Sequence, residues 1–417
     1  MVRIAALGFV LFASAHIAAA PQWPQWRGPS RDGTVTTMPA PGAWPERFAS
    51  RWQVDVGEGY ASPVLSDGRV FVHSRRDPLE IVTAVDAATG AVAWREEYAA
   101  PYDKNSYARA MDKGPNATPL VAGGRVFTLG ATGILTAWDA ATGRHLWRKD
   151  FSALVDFSTL FCGTAASPVL AHGLLVVQVG SDVRGGTIAG LDPASGEARW
   201  EWRGPGPGYA SPAVIEAGGV SQLVTLTNES IVGLDARTGR ELWTTPFANA
   251  WHENIVTPVW TGSLLVASNK EQGTVAYRLV KAAGAWAARE VWRTPAASMY
   301  MSTPVAADGV LFGFSDKRRG SFVALDLATG EVRWQTEGRE ATQVAVLLGD
   351  AQVVFLTDEA RLVVARRDPS AFTPVREYAL ELGPTWGVPI VAGRDLILRE
   401  GTRLTRLTAA TGVPASR

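Results

Sequence analysis

Cysteine is almost missing from this chain. Cys162 stands alone among 417 residues, which excludes a disulfide framework and any cysteine-clustered zinc or iron–sulfur site. Net charge is missing as well, since 40 Lys+Arg balance 40 Asp+Glu. A neutral chain lacks the basic field that meets phosphate, so nucleic acid is not an expected partner. Histidine is scarce. After residue 20 only His73, His145, His172 and His252 occur, with no H-x-x-H or H-E-x-x-H spacing, so no metal site is predicted. No G-x-S-x-G elbow, Walker loop or dinucleotide fingerprint stands in a strand–helix context, and no catalytic residue is assigned. Beyond residue 20 there is no run of 18 apolar residues, so no further spanning segment is expected.

What is present is apolar, turn-rich sequence. The hydrophobic fraction is 47% and the charged fraction 19%, enough for a large core and against disorder. Gly 42 and Pro 25 imply many turns. Residues 1–20 carry Arg3, an apolar run from Ile4 to Ala15 and Ala18-Ala19-Ala20. That order is the pattern of a cleaved signal peptide and predicts export to the periplasm or beyond. Lipid anchoring would need a cysteine just after the apolar run, and none is there. Residues 21–50 form a Pro- and Trp-rich arm without strand pattern, expected to pack over the rim of the protein body.

Residues 51–412 are filled by a repeat. Ser62-Pro63-Val64-Leu65 followed by Val85-Asp86-Ala87-Ala88-Thr89-Gly90 and Trp94 is the first of six copies, with drift. The leading prolines are 63, 119, 168, 212, 258, 304 and 389, with Ala345 in the seventh place. Units of roughly 40–50 residues containing short strands of period two are the signature of propeller blades. Pro opens the first strand, Asp67-Gly68 turns it into the second, and Asp86 with Gly90 turns the third into the fourth. The seventh unit reads as having lost both the Asp turn and the Trp. The eighth ends without a Trp strand, while Arg51-Trp52-Gln53-Val54-Asp55 stands ahead of the first unit without partners. The expected fold is therefore an all-β, eight-bladed propeller closed by its N-terminal strand, which removes the open edge.

The unit A-x-D-x-x-T-G-x-x-x-W resembles the tryptophan-docking repeat of the PQQ-type β-propellers. Trp94, Trp147, Trp200, Trp243 and Trp334 fit it closely, Trp292 and Trp52 partly. The opening Trp23-Pro24-Gln25-Trp26-Arg27-Gly28-Pro29 also resembles a group of secreted bacterial PQQ-binding-like repeat proteins. The resemblance implies the fold and leaves two branches open. One is the quinoprotein dehydrogenases, which bind pyrroloquinoline quinone (PQQ) and Ca²⁺ on the propeller axis. The other is the non-catalytic periplasmic propeller of the outer-membrane β-barrel assembly machinery. The dehydrogenases use a vicinal Cys pair that stacks on the quinone, and Cys162 has no such neighbour.

Ligands of propellers sit where the loops entering the first strands converge. Those loops place Tyr60, Arg109, Lys113, Asn116, Tyr209, His252, Glu253, Asn254, Tyr300 and Trp386 at one mouth of the channel. Glu253 and Asn254 have the residue types of Ca²⁺ ligands and Trp386 that of a quinone platform. Arg109 and Lys113 suit a carboxylate or phosphate, and Asp112–Lys113 suits a solvated pair. The leading expectation is an exported, non-catalytic and monomeric binding or scaffold propeller of the cell envelope. It would hold a protein partner or extended peptide and need no cofactor. The alternative is a PQQ- and Ca²⁺-dependent oxidoreductase acting on alcohols or sugars. A sugar-binding propeller is the third.

Overall fold

In the computed structural model the described residues are 22–108 and 112–410. The predicted signal peptide and Arg109 lie outside them. The described chain forms eight antiparallel sheets of four strands each. In the first blade these run Val64–Ser66, Arg69–Arg76, Leu79–Asp86 and Val92–Ala99 from the channel outwards. The inner strands are short, and the middle two are buried on both faces. Only the outermost alternates between core and solvent, as a half-exposed strand should. In the last blade Phe48–Asp55 pairs with Arg403–Ala409 and completes the sheet, so the ring closes with its N-terminal strand on the outside. Among the described residues no helix is long and apolar enough to cross a membrane.

Neighbouring blades are tied by the repeated tryptophan. The indole of Trp52 donates to Ala87 O at 3.1 Å, Trp94 to Ala140 O at 3.1 Å and Trp147 to Pro193 O at 3.1 Å. Trp292 donates to Leu327 O at 2.8 Å. Each acceptor follows the aspartate of the next blade's turn, and that aspartate accepts from the turn amides, as Asp86 does from Thr89 N at 2.8 Å. The turn glycine makes room for the ring: a Cβ on Gly90 would lie 2.7 Å from Trp52 Cγ, at a φ of +78°. Gly90→Ala is therefore expected to cost about 1–3 kcal/mol. Gly68→Ala, at φ +75° with open space around it, carries the backbone strain alone. Thermal melts of the two variants read the Trp52 contact as their difference.

Four blades depart from the pattern. The fifth lacks the Asp turn, and its outer strands Gly273–Ala282 and Ala285–Thr294 form a long hairpin. Trp243 therefore meets no neighbouring turn, and its indole donates inside its own blade to Gln222 Oε1 at 2.7 Å. Trp200 lies over Gly239, but its Nε1 has no hydrogen-bond partner among the described residues. The seventh blade corrects the sequence reading. It keeps an Asp turn, in which Asp368 Oδ1 accepts from Ser370 N at 2.8 Å and Asp368 O accepts from Trp334 Nε1 at 2.9 Å. Phe372 packs 5.5 Å from the Trp334 ring, in a turn without glycine. Arg376 stands in the tryptophan position, opposite Val364, and Tyr378, two residues on, donates to Pro45 O at 2.5 Å.

A second tie runs around the channel. Five of the Ser or Thr residues before the leading prolines accept an amide N–H from the adjacent blade. Ser62 N donates to Thr118 Oγ1 at 3.1 Å, Thr118 N to Ser167 Oγ at 3.0 Å and Ser167 N to Ser211 Oγ at 2.9 Å. Thr257 N donates to Thr303 Oγ1 at 3.2 Å, and Val388 N closes the circle on Ser62 Oγ at 2.8 Å. Val388 has no hydroxyl to offer the seventh blade, and Val344 N turns back to Ser302 Oγ at 2.9 Å.

The N-terminal arm passes beneath this ring. Trp23 exchanges both backbone hydrogen bonds with Leu65. Arg27, 2% exposed, donates to Thr303 O at 2.6 Å, Pro304 O at 2.7 Å and Asp32 O at 2.8 Å. Arg31 donates to Pro168 O at 2.9 Å and Pro212 O at 3.0 Å. Apart from Asp32 O, which belongs to the arm, these carbonyls precede the short inner strands, so the two guanidinium groups satisfy what the ring leaves open. Burial pulls Arg27 down to about 10, and burial with the neighbouring Arg27 charge pulls Arg31 to about 9. Both stay charged at neutral pH.

Candidate functional site

Above the hydroxyl ring the channel opens into a cavity of about 350 Å³, the size of a small-ligand pocket. Its floor is Trp26, whose Nε1 donates to Thr257 Oγ1 at 3.1 Å. The walls are aromatic: Tyr60, Tyr107, Phe161, Tyr209, Tyr300 and Trp386. Glu253 is the single carboxylate in the lining, and no Lys, Arg or His joins it among the described residues. The rings are held by their loops. Tyr60 Oη accepts from Asp112 N at 3.0 Å and Tyr209 Oη from Phe161 N at 3.0 Å. Tyr60 packs 5.0 Å from the Trp386 ring. Asn116 Nδ2 donates to Cys162 O at 2.9 Å, tying two entry loops together.

Tyr300 Oη donates to Glu253 Oε2. Burial pushes the Tyr300 phenol above the usual tyrosine value, and the Glu253 hydrogen bond and charge add to it. Tyr60 and Tyr209 are raised by burial as well, and burial also pushes the Cys162 thiol up. Each of these groups therefore stays neutral at neutral pH, with Cys162 a thiol and not a thiolate nucleophile.

The structure brings six of the sequence candidates to this cavity: Tyr60, Asn116, Tyr209, Glu253, Tyr300 and Trp386. Three stand elsewhere. Asn254 is fully buried and its amide is spent, donating to Thr227 O at 2.8 Å and Phe247 O at 2.7 Å. Its Oδ1 accepts from Asn249 at 3.1 Å and Asn269 at 2.9 Å. Asn249 Oδ1 in turn accepts from Glu253 N at 3.1 Å, so Asn254 positions the carboxylate and does not face a ligand. Lys113 pairs with Asp77 at 2.5 Å and not with Asp112. His252 sits on the rim, its Nδ1 2.6 Å from Asp182 Oδ2.

Residues the sequence reading passed over complete the site. Trp26 belongs to the arm expected on the rim, yet it closes the channel. Phe161 lies in an entry loop from which the sequence reading takes only Cys162, whereas Tyr107 is among the entry-loop residues it already puts at the mouth. Beside the cavity, behind Tyr60 and Trp386, lies a second one of about 340 Å³ lined by Asp112 and Arg399. Arg399, 2% exposed, donates to His73 O at 3.0 Å and Gly57 O at 2.6 Å. Burial pulls its guanidinium down to about 10.

Comparison with known proteins adds sequence kinship to this geometry. The chain is similar to outer membrane protein assembly factor BamB of Yersinia pestis, 26% identical over 272 residues, 61% of this chain and 64% of that protein. It therefore spans less than two thirds of that relative's length. The BamB of Burkholderia pseudomallei is 26% identical over 362 residues, 83% of this chain and 84% of that protein. Quinohemoprotein alcohol dehydrogenase ADH-IIG of Pseudomonas putida is 26% identical over 188 residues, 43% of this chain and 24% of that enzyme. Two solved structures share the fold. The quinohemoprotein alcohol dehydrogenase of Comamonas testosteroni matches with TM-score 0.67 at 14% identity, over 95% of this chain and 82% of that one. BamB of Moraxella catarrhalis matches with TM-score 0.60 at 15% identity, over 89% and 99%. The family model described as outer membrane protein assembly factor BamB matches residues 49–102 and 79–336, most of the propeller, and the chain belongs to that family.

Proposed function

We propose that this protein is an exported, non-catalytic binding propeller of the bacterial cell envelope that takes a segment of a protein partner at the channel mouth. One observation carries the reading. Tyr107 is 86% exposed and Trp251 61% exposed. Both sit in loops entering an inner strand, on the face where the aromatic cavity opens. Val183, 63% exposed, tips the hairpin of Asp182, which the rim contact to His252 places on the same face. Exposed apolar groups clustered around a preformed pocket are the anatomy of a recognition surface. Kinship with proteins named for outer-membrane assembly supports a partner in the envelope.

The quinoprotein reading meets a poor fit. PQQ brings three carboxylates, and the cavity offers them Glu253 and no cationic side chain among the described residues. The expected Ca²⁺ pair fails because the Asn254 amide is committed to four internal hydrogen bonds. No group of three His, Cys, Asp or Glu suited to a metal ion occurs among the described residues.

Two measurements test the proposal. A photo-crosslinking amino acid in place of Tyr107, introduced in producing cells, is expected to capture a defined envelope protein. The same group in place of Val92, on the opposite face, is expected to capture none. Titration calorimetry with PQQ, with and without Ca²⁺, is expected to show no stoichiometric heat. Ca²⁺-dependent one-to-one binding overturns the proposal in favour of the oxidoreductase.

A further inference from the structure

The cavity has a chemistry of its own. Six aromatic side chains wall it, a seventh, Trp26, floors it, and Glu253 supplies the one formal charge among its described residues. Aromatic faces carry negative potential, and a carboxylate among them adds to it. An anionic ligand meets repulsion there. A sugar needs many free polar groups, whereas the Tyr60 and Tyr209 hydroxyls are engaged by loop amides and that of Tyr300 by Glu253. A neutral apolar ligand leaves the cost of desolvating Glu253 without return. One fully buried amide, Asn254, is spent on holding the Asn249 side chain that fixes the Glu253 backbone, so the carboxylate's place is built. The cluster already receives one cation: Lys270 Nζ stands 5.0 Å from the centre of the Tyr300 ring.

We propose that the cavity is a cage for an organic cation, an ammonium or guanidinium group. Its source is a lysine or arginine of a bound segment or the head of a small methylammonium compound. The inference deepens the binding reading above and rests on it for the direction of approach. The cation enters from the open mouth, stacks between Tyr60–Trp386 and Tyr209, and pairs with Glu253 above the Trp26 floor. Desolvation in an aromatic site makes such pairing stronger than at an exposed one.

Titration calorimetry on the full mature protein tests it with three probes: choline, N-acetyl-arginine amide, and 3,3-dimethylbutan-1-ol, the neutral isostere of choline. At least one cation is expected to bind about tenfold or more tightly than the neutral isostere. Glu253→Gln, which keeps the shape and the Tyr300 hydrogen bond, is expected to remove most of that preference and leave the isostere unchanged. Choline above arginine assigns a small-molecule ligand; arginine above choline assigns a peptide side chain. Equal binding of the isostere, or no heat with either cation in protein that melts normally, overturns the cage. Crosslinking from position 107 reads the partner independently, so a failed cage and a failed partner proposal remain distinguishable.

Discussion

Deletion of residues 22–47 is expected to abolish cooperative melting of the propeller. The arm is structural at both of its ends. Trp23 and Trp44 are each 3% exposed and join Val35 in the core cluster that also holds Leu65, Leu347 and Ile390. The cluster thus spans the first, seventh and eighth blades, the region where the ring closes. Trp44 Nε1 donates to Gln352 Oε1 at 3.1 Å, and Val35 N to Leu348 O at 2.8 Å. A single buried Trp→Ala costs about 3–5 kcal/mol. Losing two, together with the Arg27 and Arg31 caps, is comparable with the roughly 5–15 kcal/mol by which a domain is stable. The measurement is the near-ultraviolet dichroism melt of the deletion variant beside that of the full protein. Trp44→Ala alone is expected to keep a cooperative transition at lower temperature. A deletion variant that melts as the full protein does would reduce the arm to a passive cover and detach the cavity floor from the fold.

The sequence shows clearly whatever its local spacing controls. Prolines at fixed positions, Asp-x-x-Thr-Gly turns and the partnerless Trp52 strand define eight blades and their closure, because a blade is built from contacts between strands adjacent in sequence. The candidate site is legible only in part, because it is made by contacts across the ring. Trp26 meets Thr257 across 231 residues, and no spacing announces that. Asn254 has a ligand's residue type, but Asn249 and Asn269 determine that it is buried. Lys113 has an acidic neighbour at 112 and pairs instead with Asp77, brought up by another blade. The Ser/Thr-Pro pairs were visible as strand starts, yet the hydroxyl's task becomes clear only when the next blade's amide is in place. The Asp368 turn is hidden in the sequence because Phe372 stands where the repeat has glycine.

Glu80→Ala is expected to destabilise the protein by about 3–5 kcal/mol, the loss that follows when one member of a buried ion pair is removed. His73, Arg75 and Glu80 are all fully buried in the first blade. Glu80 accepts from Tyr98 Oη at 2.5 Å and, across the seam to the second blade, from Ala131 N at 2.9 Å. Arg75 Nη2 and His73 Nε2 each lie 3.5 Å from the carboxylate. Gly130 belongs to the same arrangement, since a Cβ there would come within 2.0 Å of Glu80 Oε2. Without the carboxylate Arg75 keeps the Asp77 carboxylate at 2.9 Å and Ala100 O at 2.7 Å, but Asp77 is half exposed and already shared with Lys113. Glu80→Gln retains an acceptor for Tyr98 and removes the charge, so it is expected to cost less than the alanine and to isolate the electrostatic part. The pH dependence separates the two further. Burial raises the Glu80 carboxyl, but hydrogen bonds from His73 and Tyr98 and the Arg75 charge outweigh it and hold it below the usual carboxylate value. A carboxyl depressed by folding stabilises the native state fully above its unfolded value of about 4.3, and that contribution fades as pH falls through the folded value. The gap in melting temperature between wild type and Glu80→Gln is therefore expected to be constant from neutral pH to about 5 and to narrow below about 4.3. A gap that stays level into the acid range would show that the variant's loss comes from packing and not from the charge.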